Sequence, residues 1–291
     1  MKRFLKDLFA DLTHWIPDKQ YLKLIYRIKY HKKLDFDNPK SFNEKMQWLK
    51  IYNRKEYYSN MVDKYEAKQY IKDLIGDKHL IPTIGIYDSF QEINFDSLPQ
   101  QFVLKTTHDS GTVFICKEKN KFDFKTVERK VKKMMKKNLF WRTREWPYKN
   151  VKPRIIIEQF ICEEDLSQCP EFKVFCFNGQ AKLVLVCQGE ANGAGRTNDF
   201  FDANFNHYAV DTAYPQFKGS IAKPPYYQQL LEIAETLSTD IPALRVDFYC
   251  LKNSFYIGEM TFYHCGGFCR FNPKEFDLLF GDLLDLTSHK Q

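Results

Sequence analysis

The chain has 291 residues, a net charge of +7 from 44 Lys and Arg against 37 Asp and Glu, and 16% aromatic residues. This composition excludes a disordered or low-complexity chain, and no apolar run approaches the roughly 20 residues of a membrane-spanning helix. The length suits one large domain or two lobes. The start, Met1-Lys-Arg-Phe-Leu-Lys-Asp-Leu-Phe9, lacks a signal-peptide core, so a cytoplasmic protein is expected.

The first stretch, Met1 to Lys33, is basic and places Phe4, Leu5, Leu8, Phe9, Leu12 and Trp15 on one helical side. That side is expected to dock on the core; the second reading is peripheral attachment of this basic N-terminus to the inner face of a membrane. Asn38-Pro39 marks a break, after which Ser41-Phe-Asn-Glu44 is a capping box opening a helix to about Tyr52. A helix follows from Asp63 to Leu74 and stops at Gly76. Residues 80–87 read as extended, and 102–105 and 111–116 as strands.

Much of the positive charge lies in Lys117 to Lys137, where Val127, Val131 and Met134 recur at helical spacing. This is an amphipathic helix with a solvated basic face. Without a zinc-finger, helix-turn-helix or aromatic RNA-binding signature beside it, no nucleic-acid partner is expected. Residues 154–158, 172–177 and 181–186 read as strands, the last two joined by the hairpin signal Asn178-Gly179. A helix spans Pro224 to Leu237. Hairpins outnumber βαβ units, so the class is α+β.

The most informative segment is Leu244-Arg-Val-Asp-Phe-Tyr-Cys250 and Phe255-Tyr-Ile-Gly-Glu-Met-Thr-Phe262 about the turn Leu251-Lys-Asn-Ser254. With Leu251 opposite Phe255 around a three-residue loop, Asp247 faces Glu259 and Arg245 faces Thr261. The other face then carries Leu244, Val246, Phe248 and Cys250 with Tyr256, Gly258, Met260 and Phe262, and is suited to burial. Opposed carboxylates repel unless a cation lies between them. A hard ion such as Mg²⁺ takes such oxygen ligands together with substrate phosphates. A solvated hairpin face is the competing reading.

Phe102-Val-Leu-Lys105 ends an apolar strand in a lysine, and Thr106-Thr-His-Asp-Ser-Gly111 follows as a polar loop able to present N–H groups to phosphate. Glu158 interrupts the apolar strand Ile155-Ile-Ile-Glu-Gln-Phe-Ile161. The eight cysteines (116, 162, 169, 176, 187, 250, 265 and 269) fall mostly in apolar stretches without a C-x-x-C pair and are expected as free buried thiols. His264-Cys265-Gly-Gly-Phe-Cys269 offers soft ligands but lacks an evident fourth, which disfavours zinc.

Taken in order, the lysine-ended strand, the loop, the Ile-Ile-Glu-Gln-Phe-Ile hinge, Arg-Val-Asp and Gly-Glu resemble the ATP-grasp fold. More narrowly, Asn38-Pro-Lys-Ser-Phe-Asn-Glu-Lys45, Asp63-Lys64, Phe102-Val-Leu-Lys105, Phe172-Lys-Val-Phe-Cys-Phe-Asn-Gly179 and Arg245-Val-Asp-Phe-Tyr249 look like the TupA-like ATP-grasp family, associated with bacterial surface-polysaccharide biosynthesis. The resemblance spans about Asn38 to Leu284. It implies two α+β lobes clamping a nucleotide: a helical segment over 1–58, a first lobe with the phosphate loop over 59–154, and a second lobe with hinge and metal site over 155–291.

The same resemblance implies roles. Lys64 and Lys105 would contact ATP phosphates under a loop closing at Ser110 and Gly111. Glu158, Gln159, Phe160 and Ile161 would meet the adenine. Asp247, Glu259 and Thr261 would hold Mg²⁺, and Arg245 would steady the transferred phosphoryl. Many ATP-grasp enzymes carry an asparagine two residues after the metal-binding glutamate where this chain has Thr261, so one or two ions are both open. Lys173 would touch phosphate or acceptor. Arg196, in the polar stretch Gln188 to Asn198, would bind an acceptor carboxylate or sugar phosphate, against the reading of that stretch as a plain surface loop.

The chemistry implied is ligation: a substrate carboxylate takes the γ-phosphoryl group, and an amine displaces phosphate from the acyl phosphate to form an amide. The expected partners are a carboxylate-bearing sugar or glycan intermediate, such as a uronic acid, and a small amine such as an amino acid or amino alcohol. No G-x-S-x-G, P-loop or dinucleotide fingerprint suggests another route. Two other classes stay open: a polysaccharide glycosyltransferase using a nucleotide sugar, and an ATP-dependent sugar phosphotransferase.

Overall fold

The computed structural model describes residues 12–161, 169–189 and 195–287. In chain order the elements are helices α1 (Asp18–Tyr30), α2 (Phe42–Tyr52), α3 (Tyr58–Val62) and α4 (Glu66–Ile75), then strands β1 (Thr83–Tyr87), β2 (Phe102–Thr106) and β3 (Val113–Cys116). Helices α5 (Phe124–Met135) and α6 (Leu139–Thr143) precede β4 (Ile155–Gln159), β5 (Glu171–Phe177), β6 (Gln180–Gln188), β7 (Thr197–Asp202) and β8 (His207–Tyr208). Helix α7 (Tyr227–Leu237), the hairpin β9 (Ala243–Cys250) and β10 (Phe255–Thr261), and helix α8 (Glu275–Asp282) complete the chain. Two compact units result: residues 12–15 with 55–161, and residues 16–54 with 169–189 and 195–287.

The first unit holds a four-stranded antiparallel sheet in the order β1-β4-β2-β3. Alternation turns Phe102 and Leu104 of β2 and Ile155 and Ile157 of β4 into a core with Val127 and Val131 of α5. Each such buried side chain contributes about 1.5–3 kcal/mol. Lys132 and Lys133 on the far side of α5 are exposed, as the basic amphipathic pattern predicts. The opposite face of β2 and β4 is therefore left to Val103, Lys105, Ile156 and Glu158. Strand β4, which the sequence division places at the head of the second lobe, pairs here with β1 and β2.

The second unit holds a six-stranded antiparallel sheet in the order β10-β9-β5-β6-β7-β8. Asn178 and Gly179, with φ of 51° and 77°, make the tight β5–β6 turn. Helix α7 packs on β5, β6 and β9 through Leu230, Ala234 and Leu237. The expected capping box opens α2: Ser41 accepts from the Glu44 N–H, and the Glu44 carboxylate accepts from the Ser41 N–H. Buried Asn43 ties α2 to the chain end by donating to the Cys269 carbonyl at 3.0 Å and accepting from its N–H at 2.7 Å.

Several expectations are corrected. The β9–β10 hairpin closes with Cys250 opposite Phe255 around a four-residue loop, and a bulge at Gly258 then brings Asp247 opposite Glu259 and Arg245 opposite Thr261. Because the bulge flips the alternation, Phe255 and Ile257 are buried where Tyr256 and Gly258 were expected, while beyond it Met260 and Phe262 are buried as expected. The stretch Gln188 to Asn198 is not all loop: β6 runs to Gln188 and β7 starts at Thr197, with residues 190–194 outside the described residues. Strand β7 lacks apolar alternation; pairing with β6 and the Asp199 carboxylate, which accepts from the Phe217 N–H, stabilise it instead.

At the N-terminus, Leu12 and Trp15 are 66% and 80% exposed rather than docked, while Tyr21, Leu22 and Tyr26 of α1 supply the buried contacts. Phe4, Leu5, Leu8 and Phe9 lie outside the described residues. Cys169 is disulfide-bonded, whereas Cys116, Cys176, Cys187, Cys250, Cys265 and Cys269 are free thiols, Cys265 exposed and the others buried. Composition and compartment say nothing of which two thiols a fold brings together. Cys162 lies outside the described residues. No helix among them is long and apolar enough to cross a membrane.

Candidate active site

The second unit builds a ladder of opposite charges on one sheet face. Strand β5 lies between β9 and β6, with Lys173 opposite Asp247 and Phe175 opposite Arg245. The Lys173 ammonium donates to Asp247 and lies 2.8 Å from Glu171 Oε2, and Arg196 Nη2 reaches Glu171 Oε2 at 3.1 Å. Arg245 clamps Asp247 with Nε to Oδ1 at 2.6 Å and Nη2 to Oδ2 at 2.8 Å. Its Nη2 also meets Glu259 Oε1 at 3.3 Å and Thr261 Oγ1 at 3.1 Å. The cation between the opposed carboxylates here is thus a guanidinium.

The electrostatics follow from burial and pairing. Burial pushes the Asp247 carboxyl up, but the Arg245 and Lys173 charges outweigh it and hold the group below the usual carboxylate range. Glu171 behaves alike, burial being overcome by Lys173 and then Arg196. Burial works against the Lys173 ammonium, yet Asp247 and Glu171 keep its pKa above the ordinary lysine value. Glu259 is the open member, its side chain 35% exposed. Asp247, Glu259 and Thr261 offer hard oxygen donors on one hairpin, a set that fits Mg²⁺.

In the first unit, Lys105 and Glu158 meet on the sheet face opposite α5. Glu158 Oε2 lies 2.6 Å from the Lys105 ammonium and Oε1 lies 2.5 Å from that of Lys68. Burial pushes the Glu158 carboxyl up, and the two lysines prevail and hold it low. Gln159 beyond it is exposed, and Phe160 and Ile161 are half-buried.

The loop after Lys105 is pinned at its base. The Asp109 carboxylate accepts from the hydroxyls of Thr106 and Thr112, and the Lys64 ammonium donates to the Asp109 carbonyl. His108 is buried, its ring 3.1 Å from the Met134 carbonyl, and burial lowers its pKa. Only the tip is exposed, at Ser110 and at Gly111, whose φ of 89° suits glycine. Nothing lies within 4 Å of where a Gly111 Cβ would be.

The structure therefore gathers Lys64, Lys105, Ser110, Gly111 and Glu158 in one unit and Lys173, Arg196, Arg245, Asp247, Glu259 and Thr261 in the other. Three neighbours escaped the sequence reading as site residues: Lys68, Glu171 and His264, whose Nδ1 lies 2.6 Å from Arg245 Nη1. Lys68 stands on a helix with no motif around it. Glu171 and Lys173 at i and i+2 on a strand were a readable signal of a shared face.

A family model described as TupA-like ATPgrasp matches residues 44–285. The chain belongs to the TupA-like ATP-grasp family. Its helices and two antiparallel sheets give this TupA-like ATP-grasp protein the mixed α+β architecture expected from the sequence. It is similar to D-alanine–D-alanine ligase from Bacillus anthracis complexed with ATP: 16% identity, 70% of this chain and 55% of that one covered, TM-score 0.39. The enzyme of the same name from Helicobacter pylori gives 16%, 77%, 60% and 0.40. The ATP-grasp ligase PsnB complexed with a phosphomimetic variant of minimal precursor, Mg and ADP gives 9%, 84%, 65% and 0.43. The chain thus spans between 55% and 65% of these proteins' length. No curated protein matches it in sequence.

Proposed function

We propose that this TupA-like ATP-grasp protein is an ATP-dependent carboxylate–amine ligase. It activates a carboxylate as an acyl phosphate and joins it to an amine, the acceptor being a uronic acid of a bacterial surface-polysaccharide intermediate and the amine an amino acid or amino alcohol. The observation that carries the reading is the buried ladder Arg245, Asp247, Lys173, Glu171 and Arg196, a rigid array of charge ending at the half-open Glu259. No residue in it is an activated nucleophile. Such an array suits phosphoryl transfer, where catalysis rests on positioning and charge stabilisation rather than on covalent chemistry.

In this reading Lys105 and Lys64 bind the phosphates, with the exposed Ser110-Gly111 tip supplying backbone N–H groups. The Glu158 carboxylate is already engaged by Lys105 and Lys68, so the backbone of Gln159, Phe160 and Ile161 is left to meet the adenine. Asp247 and Glu259, with Thr261, would hold Mg²⁺, which when bound neutralises phosphate charge. Arg245, fixed by Asp247, presents a guanidinium to the transferring group. Lys173 holds Asp247 and Glu171 ionised, and Arg196 at the far end of the ladder binds the acceptor's anionic group. The protein acts at the cytoplasmic side of the membrane.

The test is product analysis with Mg-ATP, a panel of uronic acids and a panel of amines. ADP, phosphate and an amide in equal amounts support the ligase. A nucleoside diphosphate with a glycoside would overturn it in favour of a glycosyltransferase, and ADP with a phosphate ester in favour of a phosphotransferase.

A further inference from the structure

The residues after β10 form an unusual turn. Cys265, Gly266 and Gly267 stand in succession in the left-handed region, with φ of 52°, 63° and 67°. Glycine accepts this backbone readily, but a cysteine there costs roughly 1–2 kcal/mol. Helix α2 holds the turn in place: Lys50 donates to the Gly266 carbonyl at 2.6 Å and Gln47 to the Gly267 carbonyl at 2.5 Å. A Cβ on Gly267 would lie 2.4 Å from Gln47 Nε2, so the two elements meet closely. Strain maintained by its surroundings marks a candidate functional position.

The turn collects three groups. The ligand atoms of His264, Cys265 and Cys269 all lie within 4.8 Å of one another, with Cys265 exposed and Cys269 buried. His264 Nε2 is 3.6 Å from Cys265 Sγ, while its Nδ1 is 2.6 Å from Arg245 Nη1. A guanidinium can only donate, so Nδ1 must accept and the ring proton resides on Nε2, aimed at the sulfur. This tautomer supports a thiolate. It opposes a metal, because an imidazole that ligated through Nε2 while accepting at Nδ1 would have to lose both ring protons.

We propose that Cys265 is a peroxide-reactive thiolate and that Cys269 resolves its oxidised form into an intramolecular disulfide. The Cys265 sulfur attacks one peroxide oxygen, the O–O bond breaks, and the departing hydroxide takes a proton to leave as water, giving a sulfenic acid. The Cys269 sulfur, losing its proton, then attacks the Cys265 sulfur; the S–OH bond breaks and a second water leaves. Two thiols are oxidised and one peroxide is reduced to two waters. The polarity of the pair agrees: a hydrogen bond from Cys269 first, then His264 and Arg245, hold the Cys265 thiol well below its ordinary range. Burial and then Cys265 itself push the Cys269 thiol well above its own. The disulfide removes the acceptor of the His264 proton, one contact away from Arg245.

The proposal is independent of the reaction catalysed and is tested on the whole chain. Reduced protein is exposed to a stoichiometric amount of hydrogen peroxide, alkylated, digested and read by mass spectrometry. The expected result is a peptide linking Cys265 to Cys269 and lacking two hydrogens, with Cys116, Cys176, Cys187 and Cys250 unmodified. In Cys269→Ser the product stops at a Cys265 sulfenic acid trapped by dimedone. In His264→Ala, which removes the proton donor facing the Cys265 sulfur, oxidation by peroxide slows severalfold. Recovery of both cysteines alkylated after peroxide, or an unchanged rate in His264→Ala, overturns the proposal. So does retention of one equivalent of Zn²⁺ through dialysis with protection from peroxide, which would make the cluster a metal site.

Discussion

Asp247 stands directly opposite Glu259 although the loop joining their strands holds four residues, because the unpaired Gly258 restores the register. The acid pair thus depends on a glycine that bears no charge. A Cβ at Gly258 would lie 2.8 Å from the Tyr249 ring. Gly258→Ala is expected to lower stability by about 1–3 kcal/mol, the usual range for overpacking, and to weaken the thermal shift produced by Mg-ADP. Urea denaturation and thermal melts check this. An unchanged midpoint and shift would show that the bulge tolerates a side chain.

The members of the ladder are not equivalent. Asp247→Asn leaves Arg245 and Lys173 buried beside a neutral group, and removing one partner of a buried ion pair costs about 3–5 kcal/mol. Lys173→Met leaves Asp247 with Arg245 and Glu171 with Arg196, so it is expected to cost less. Chemical denaturation of the two variants side by side gives the order. The reverse order would mean that Lys173, not Asp247, is the centre of the array.

Acid stability carries its own sign. Asp247, Glu171 and Glu158 have folded pKa values below their unfolded ones, which lie near 4. Their contribution is fully present above that unfolded range and is lost as pH falls through the lower folded values. Stability measured by urea is therefore expected to fall steeply below about pH 4. Lys173, raised in the fold, keeps its contribution below the unfolded lysine value and loses it only as alkaline pH passes through the higher folded one. A steep loss at pH 5–6 would be incompatible with these assignments.

Glu158 neutralises two lysines that the proposed reading turns towards phosphate. Glu158→Gln is expected to destabilise the protein by about 1–3 kcal/mol, since it leaves Lys105 and Lys68 without a buried carboxylate. Added Mg-ATP should recover part of that loss, giving a larger thermal shift than in the unaltered protein, whereas Lys105→Ala should abolish the shift. Equal shifts in all three proteins would remove Lys105 from the nucleotide site.

Much of this was legible in the chain. Short runs of apolar, β-branched and aromatic residues marked β2, β4, β5 and β9, the Asn178-Gly179 pair fixed a hairpin, and the Ser41 capping box opened α2. Opposition of Asp247 to Glu259 was read correctly through a loop one residue too short, because the two-versus-one count of a bulge is invisible in alternation. What remained hidden was long-range: the pairing of β7 rests on a partner strand rather than on its own pattern, and the approach of Lys68 to Glu158 and of His264 to Arg245 comes from tertiary closure.

The second unit is discontinuous: residues 16–54 leave the ribosome first but pack with 169–189 and 195–287, and residues 55–161 intervene. At the usual 5–20 residues per second, helix α2 waits about 10–45 s for the turn at 264–267 and helix α8, with Phe42, Met46, Trp48 and Leu49, all buried in the finished protein, still uncovered. The first unit's helices and strands, α3 to β4, can close during that interval because they are contiguous in the chain. Nascent chains stalled before β9 are therefore the form most exposed to aggregation and chaperone capture, and a fusion or truncation that delays the C-terminal half lengthens that exposure.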